Sequence, residues 1–286
     1  MSQDINIRKV KKTVTGQPTV DGAGVHLVRV LGIHTVKDFD PWLMLDSFDS
    51  KNPNDYIAGF PPHPHRGIET ITYLARGEMT HGDSLGNKGV IHSGESQWMT
   101  AGSGIIHEEM PQPSEHMLGV QLWLNLPQKD KMAVPKYFTI TPDMIPEAKE
   151  AYGTVKVLSG TYQGVSGTKP DYVQATILDV DLRADSEISI PISREENVFA
   201  FLLDGDAIIE GETYQCKTAV LFSEGDMIKI KAPKDKSTRF IVCAGKPLQE
   251  EIAWGGPIVM NTREELNNTF KELDEGTFIK HKAVGE

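Results

Sequence analysis

Two short stretches of this 286-residue chain set metal-ligating side chains at alternate positions. One is His63-Pro64-His65 in "FPPHPHRGIET"; the other is His107-Glu108-Glu109 in "GSGIIHEEMP". Successive side chains of an extended strand point to opposite faces, so residues two apart share one. His63 can therefore share a face with His65, and His107 with Glu109. If the two strands pair inside a barrel, three neutral imidazoles and one carboxylate converge. Imidazole suits iron, zinc, copper and nickel, and a carboxylate shifts the preference toward harder ions. The set contains no sulfur, which excludes a structural zinc site of the cysteine type. Three nitrogens and one oxygen leave open positions on an octahedral ion, so that a substrate oxygen or dioxygen can bind beside the metal.

Each motif alone is weak, because a His-Pro-His in a loop is commonly solvent-facing. Their pairing in one half of the chain is the stronger signal. None of the nine histidines lies between His116 and His281, so an imidazole site belongs to the first half. Two carboxylates compete with Glu109. Glu108 should face the opposite way; Glu69 has the right parity from His65, although Gly67 intervenes. His81 and His92 fall between the clusters, where either could orient a ligand or touch substrate. For His92 an exposed turn is the simpler expectation. Trp98 is expected to be core packing, the usual place of a large aromatic on a strand.

The elements that must carry these residues are short strands. "GVQLWLNLP" alternates, with Val120, Leu122, Leu124 and Leu126 on one face and Gln121, Trp123 and Asn125 on the other. "YLARGEMTHGDS" and "IHSGESQWM" are paralleled in style by "FLLDGDAIIEGE" and "LFSEGDMIKI" further on. This implies two related all-β barrels in tandem, jelly-roll-like. The expected domains are residues 1–127, holding the metal site, and residues 128–286, without metal ligands. The stretch from about Pro127 to Tyr172 reads as the connection, with a short helix in "TPDMIPEAKEAYG". A C-terminal helix is expected in "NTREELNNTFKELDEG". Thr262 and Glu265 form a capping-box pattern, Leu266, Phe270 and Leu273 make one apolar stripe, and Gly276 is a stop.

Bulk properties limit the function classes. The formal net charge of −11 argues against direct binding of nucleic acid. The run "RKVKK" near the N-terminus fits a solvated strand edge. Two cysteines, Cys216 and Cys243, make a disulfide framework improbable and are expected to be buried, inert thiols in strands. No stretch has the roughly 20 apolar residues of a membrane helix, and no secretory signal follows the start. The expectation is a soluble cytoplasmic protein without membrane contact, with the nucleus as the alternative in a eukaryote.

The stretches "DPWLMLDSF", "GFPPHPHRGIETITYL", "GESQWMTAGSGIIHEEMP", "GVQLWLNLP" and "GPIVMNTREE" resemble the pirins, a family within the cupin superfamily. The resemblance runs through most of the chain, and "HPHRG" is specific to pirins. One departure from the general cupin pattern is Gly102, where cupins commonly place Pro. The resemblance implies two cupin-type barrels with one mononuclear Fe in the first, other divalent transition metals being alternatives. The ligands it implies are His63, His65, His107 and Glu109. It implies a dioxygenase cleaving a flavonol such as quercetin with O2, Glu109 also acting as the catalytic base, and a small aromatic substrate as partner. The alternative it implies is a metal- and redox-dependent regulator working through contact with another protein, as a transcriptional coregulator does. A zinc isomerase of the cupin type is a more distant third.

Overall fold

The computed structural model describes residues 5–281. They form two compact units. The unit with the histidine motifs runs through Pro18–Ile33, Trp42–Thr141 and the chain from Leu248 on. It pairs a seven-stranded sheet with a four-stranded one. The larger has the order Lys136–Ile140, Ser96–Thr100, Ile68–Arg76, Met117–Asn125, Trp42–Ser50, Val25–Leu31, Gln17–Asp21. The smaller has the order Phe60–His65, Ile105–Pro111, Glu78–Asp83, Lys88–His92. Phe60–His65 is thus an edge strand, which is where a backbone with three prolines can sit without forfeiting ladder bonds.

The other unit holds the residues up to Gln17, His34–Pro41 and Pro142–Pro247. It repeats the architecture. Its seven strands run Val10–Thr15, Thr218–Phe222, Asn197–Asp204, Thr238–Gly245, Thr176–Leu182, Gly153–Ser159, Glu147–Glu150. Its smaller sheet runs Glu187–Pro191, Met227–Lys231, Ala207–Ile209, Glu212–Tyr214. The chain is all-β, built of two tandem cupin-type barrels with a short C-terminal helix. No helix among the described residues is long and apolar enough to cross a membrane.

The units divide the chain differently from a cut after residue 127. Val10–Thr15 pairs with Thr218–Phe222, so the N-terminal segment belongs with the second barrel. The C-terminal helix packs with Ile258 and Met260 in the barrel of the histidines. The expected connection is largely strand. Lys136–Ile140 extends the first barrel's large sheet beside Ser96–Thr100. "TPDMIPEAKEAYG" forms a single 3-10 turn, Pro142–Met144, and then the strand Glu147–Glu150; its two prolines remove the donors a helix would need. Within "RKVKK", Arg8 is buried, its guanidinium donating to the carbonyls of Ser193, Glu196, Ser223 and Gly225. Cys243 is a buried strand residue, whereas Cys216 lies in a turn and is half-buried. Trp98 is core, stacked on Phe138 at a centroid distance of 6.2 Å.

The C-terminal helix, Arg263–Asp274, starts as its sequence dictates: the hydroxyl of Thr262 accepts from the amide of Glu265, whose carboxylate accepts from that of Thr262. Gly276 follows it at φ +69°. Leu266 is buried, but Phe270 in the expected stripe stays exposed.

Gly102 has a backbone reason for replacing the cupin proline. Its φ is +49°, far from the −65° or so that proline demands. A Cβ there would sit 2.1 Å from the carbonyl oxygen of Ala133. Gly102→Ala is therefore expected to cost about 2–4 kcal/mol, from left-handed strain and overpacking together, read as a lower urea midpoint.

Candidate metal centre

Strands Phe60–His65 and Ile105–Pro111 lie antiparallel with His63 opposite His107 and Ile105 opposite His65. The three imidazoles converge, offering ring nitrogens that all lie within 4.8 Å of one another. Their centroids are 4.3 Å apart for His63 and His107, 4.8 Å for His63 and His65, and 5.0 Å for His65 and His107. Among the described residues this is the one group of histidine, cysteine or acidic side chains so placed.

Hydrogen bonding fixes which nitrogens face inward. Nδ1 of His63 lies 2.9 Å from the carbonyl oxygen of Pro61, and Nδ1 of His65 lies 3.0 Å from that of Pro257. A carbonyl can only accept, so each Nδ1 carries the hydrogen. In the neutral rings both Nε2 atoms are then lone pairs, and they face each other at 3.1 Å. Two lone pairs at hydrogen-bond distance repel unless a cation, either a proton or a metal ion, lies between them. Burial, with His63 adding to it, holds the pKa of His65 to about 3, which disfavours the proton on that ring. His107 is buried, neither of its ring nitrogens has a hydrogen-bond partner, and burial drives its pKa well below the ordinary value. Buried imidazole nitrogens without partners are otherwise costly. The residues present therefore fit a metal ion.

Glu109 is buried on the same face of its strand as His107, beyond a register shift in the pairing with Phe60–His65. It lies outside the group of convergent nitrogens. Its Oε1 accepts from the hydroxyl of Thr72 at 2.8 Å and its Oε2 from the amide of Gln121 at 2.6 Å. Glu108 points to solvent. Glu69 is buried, and its Oε1 accepts from the Thr100 hydroxyl at 2.7 Å. His92 is exposed and bonds to Glu78 at 3.0 Å.

His81 is the histidine whose place the spacing leaves open. It is buried, stacks on Tyr137 with rings 9° from parallel and 4.4 Å apart, and accepts from Gln97 at Nδ1. Its ring lies 5.4 Å from that of His107, so it packs against a candidate ligand and restricts its rotation. Trp123 meets His65 edge-on at 5.0 Å and lies 5.6 Å from Trp254 with the rings tilted by 31°. Sequence reasoning passes over Gln121, Tyr137, Trp254 and Pro257. Gln121 did carry a signal, a polar residue in a strand otherwise rich in Val, Leu and Trp. Tyr137 lies within the expected connection, and Pro257 acts through a backbone oxygen 192 residues from its partner.

The second barrel supplies the contrast. Its strands Glu187–Pro191 and Met227–Lys231 hold the same places in the sheet order as the two histidine strands. They pair Ile190 with Ile228 and Ile188 with Ile230, all buried. Isoleucines pack where the first barrel has imidazoles.

Two barrels of like architecture, one with a histidine triad able to bind a metal and buried at two of its three members, define a two-barrel cupin. Comparisons with known proteins agree. Residues 24–124 match the pirin family and residues 177–279 the pirin C-terminal cupin domain. A pirin-like protein of Caulobacter vibrioides is 43% identical over 95% of this chain and 99% of its own. Human pirin is 37% identical over 93% and 92%. The crystal structure of a quercetin 2,3-dioxygenase from Acinetobacter baumannii superposes with a TM-score of 0.87 at 30% identity, covering 95% of this chain and 98% of the other. The chain belongs to the pirin family.

Burial of His65 and His107, which lowers the pKa of each ring, makes the metal-free protein acid-sensitive. His65 binds its proton with a pKa of about 3 in the folded barrel and about 6.5 in the unfolded chain. Between those values the unfolded state holds more protons, so stability falls as pH falls. The slope from this group reaches about 1.4 kcal/mol per pH unit. Urea midpoints of the metal-free protein should be lower at pH 5 than at pH 7, and retained metal should dissociate over the same range as protons compete for its ligands.

Proposed function

We propose that the first barrel is the active site of an iron-dependent dioxygenase that opens a flavonol such as quercetin with O2. The observation that carries this reading is the pair of Nε2 lone pairs facing at 3.1 Å beside the partnerless nitrogens of His107, an arrangement that calls for a metal ion. His63, His65, His107 and Glu109 would hold one mononuclear ion. A set of imidazoles with one carboxylate and open positions is the environment of non-haem iron. Bound there, iron would supply Lewis acidity and a place for oxygen ligands. The substrate class is drawn from the quercetin dioxygenase of Acinetobacter baumannii, which shares most of its length with this chain.

The chain's own residues have distinct tasks in this reading. Glu109 accepts the proton of the flavonol hydroxyl, and Thr72 and Gln121 fix the direction of its carboxylate by donating to both oxygens. Trp123 and Trp254 offer aromatic faces suited to a flat, conjugated ring system. The buried indole N–H of Trp123 has no hydrogen-bond partner within the protein, so it is available to a substrate oxygen. Burial of His65 and His107 keeps water from competing for the site.

The test is oxygen uptake by iron-loaded protein with a panel of flavonols. Uptake should be abolished in the doubly substituted His63→Ala/His65→Ala protein, together with bound metal measured by mass spectrometry. Glu109→Gln, whose amide nitrogen cannot accept, should give up one of the two donated hydrogen bonds and lower the rate by about 10²–10⁴-fold, the usual contribution of a positioned base. Iron-loaded protein that consumes no oxygen with any flavonol would overturn the enzyme reading and leave the regulator.

A further inference from the structure

The C-terminal hairpin, Ala253–Gly255 with Ile258–Met260, lies beside the histidine motif although nearly two hundred residues separate them. Arg66 and Ile258 form a parallel bridge, and the amide of Val259 donates to the carbonyl of Arg66 at 3.1 Å. That bridge brings Pro257 level with His65, and its carbonyl takes the Nδ1 hydrogen of that ring. The fit is close. Gly67 has a φ of +78°, and a Cβ on it would sit 1.9 Å from the carbonyl oxygen of Val259. The turn after the motif and the hairpin are in direct backbone contact, with room for no side chain.

One side chain ties this junction together. Lys131, only 3% exposed, donates its ammonium to the carbonyl of Gly67 at 2.8 Å, the side-chain oxygen of Asn125 at 2.5 Å and the carbonyl of Val259 at 3.0 Å. These acceptors come from the turn after His65, the end of the strand bearing Gln121 and Trp123, and the C-terminal hairpin. A lysine this deep in a protein is rare; burial pulls its pKa down to about 7, and in the charged form three acceptors use its three hydrogens.

We propose that Lys131 is a positioning residue of the metal centre, latching the C-terminal hairpin against the Arg66–Gly67 turn so that the Pro257 carbonyl holds His65 with Nε2 toward the ion. The inference rests on the metal-centre reading but not on the dioxygenase reading. Without the latch, the hairpin can withdraw from the turn, the Nδ1 hydrogen of His65 loses its fixed acceptor, and the ring is free to rotate or to exchange tautomers. Ligand histidines that lose such an outer partner bind metal about 10–100-fold more weakly.

The experiment uses the full chain stripped of metal and cobalt(II) as a spectroscopic probe. Wild type should bind one equivalent with visible d–d bands. Lys131→Met, which keeps an unbranched side chain one atom shorter and removes its donors, should fold with the wild-type circular dichroism spectrum yet bind cobalt(II) about 10–100-fold more weakly, with altered bands. A purely structural lysine would lower the melting temperature and leave affinity and bands unchanged, and that result would overturn the proposal. A second measurement needs no variant: imidazole nitrogen NMR of the metal-free wild type should place the His65 hydrogen on Nδ1, and finding it on Nε2 would equally overturn the proposal. Should wild type bind no cobalt(II), the metal-centre reading fails and the latch with it. Binding without oxygen uptake would defeat only the enzyme reading.

Discussion

The site is organised by two hydrogen bonds from imidazoles to backbone carbonyls. Because His63 and His65 each give their Nδ1 hydrogen to a proline carbonyl, their remaining nitrogens must confront each other as lone pairs. That arrangement is unfavourable in the empty barrel and favourable around a cation. The fit to a cation is thus built by backbone acceptors as much as by the imidazoles themselves. One acceptor, Pro61, lies in the same strand as the histidines. The other, Pro257, comes from the far end of the chain, so the site is complete only when the C-terminal segment has folded into the first barrel's unit.

Much of the surrounding structure serves that constraint. The edge position of Phe60–His65 tolerates its prolines and exposes the Pro61 carbonyl to His63. Arg66, immediately after the motif, is buried and donates to the carbonyls of Ser103 and Phe278 and the hydroxyl of Thr269, fastening the same turn to the C-terminal helix region. His81 and Tyr137 pack behind His107, and Thr72 and Gln121 hold Glu109. Each candidate ligand has a partner that limits its motion, which is how a protein prepares a site before its ion arrives.

The second barrel isolates what the first one adds. Apart from the outer strand of the large sheet, which the chain supplies after the other strands in one barrel and before them in the other, the sheet orders match, yet the paired strands at the site's position carry Ile188, Ile190, Ile228 and Ile230. A packed isoleucine layer stabilises by burying apolar area, whereas the imidazole layer gives up that gain and needs an ion to satisfy its nitrogens. The same fold can therefore be filled with a core or with a site. Only the residue types at four or so inward positions decide which.

The sequence by itself determined the fold class, the presence of two related barrels, the capped C-terminal helix and the alternate-residue pairing of histidines. These follow from local rules: strand alternation, capping chemistry and composition. It also placed the candidate imidazole ligands in the first half, since no histidine lies between His116 and His281. The tertiary structure decided what depends on contacts between distant residues. It brought His63, His65 and His107 together, held Glu109 outside that group between Thr72 and Gln121, and joined each terminal segment to a unit far from it in sequence. It also revealed Lys131, whose surroundings in the sequence mark it as an ordinary surface lysine. A side chain's type and parity are local and legible, but a carbonyl's direction 192 residues away, which here selects the tautomer of a candidate ligand, exists only once the chain has folded.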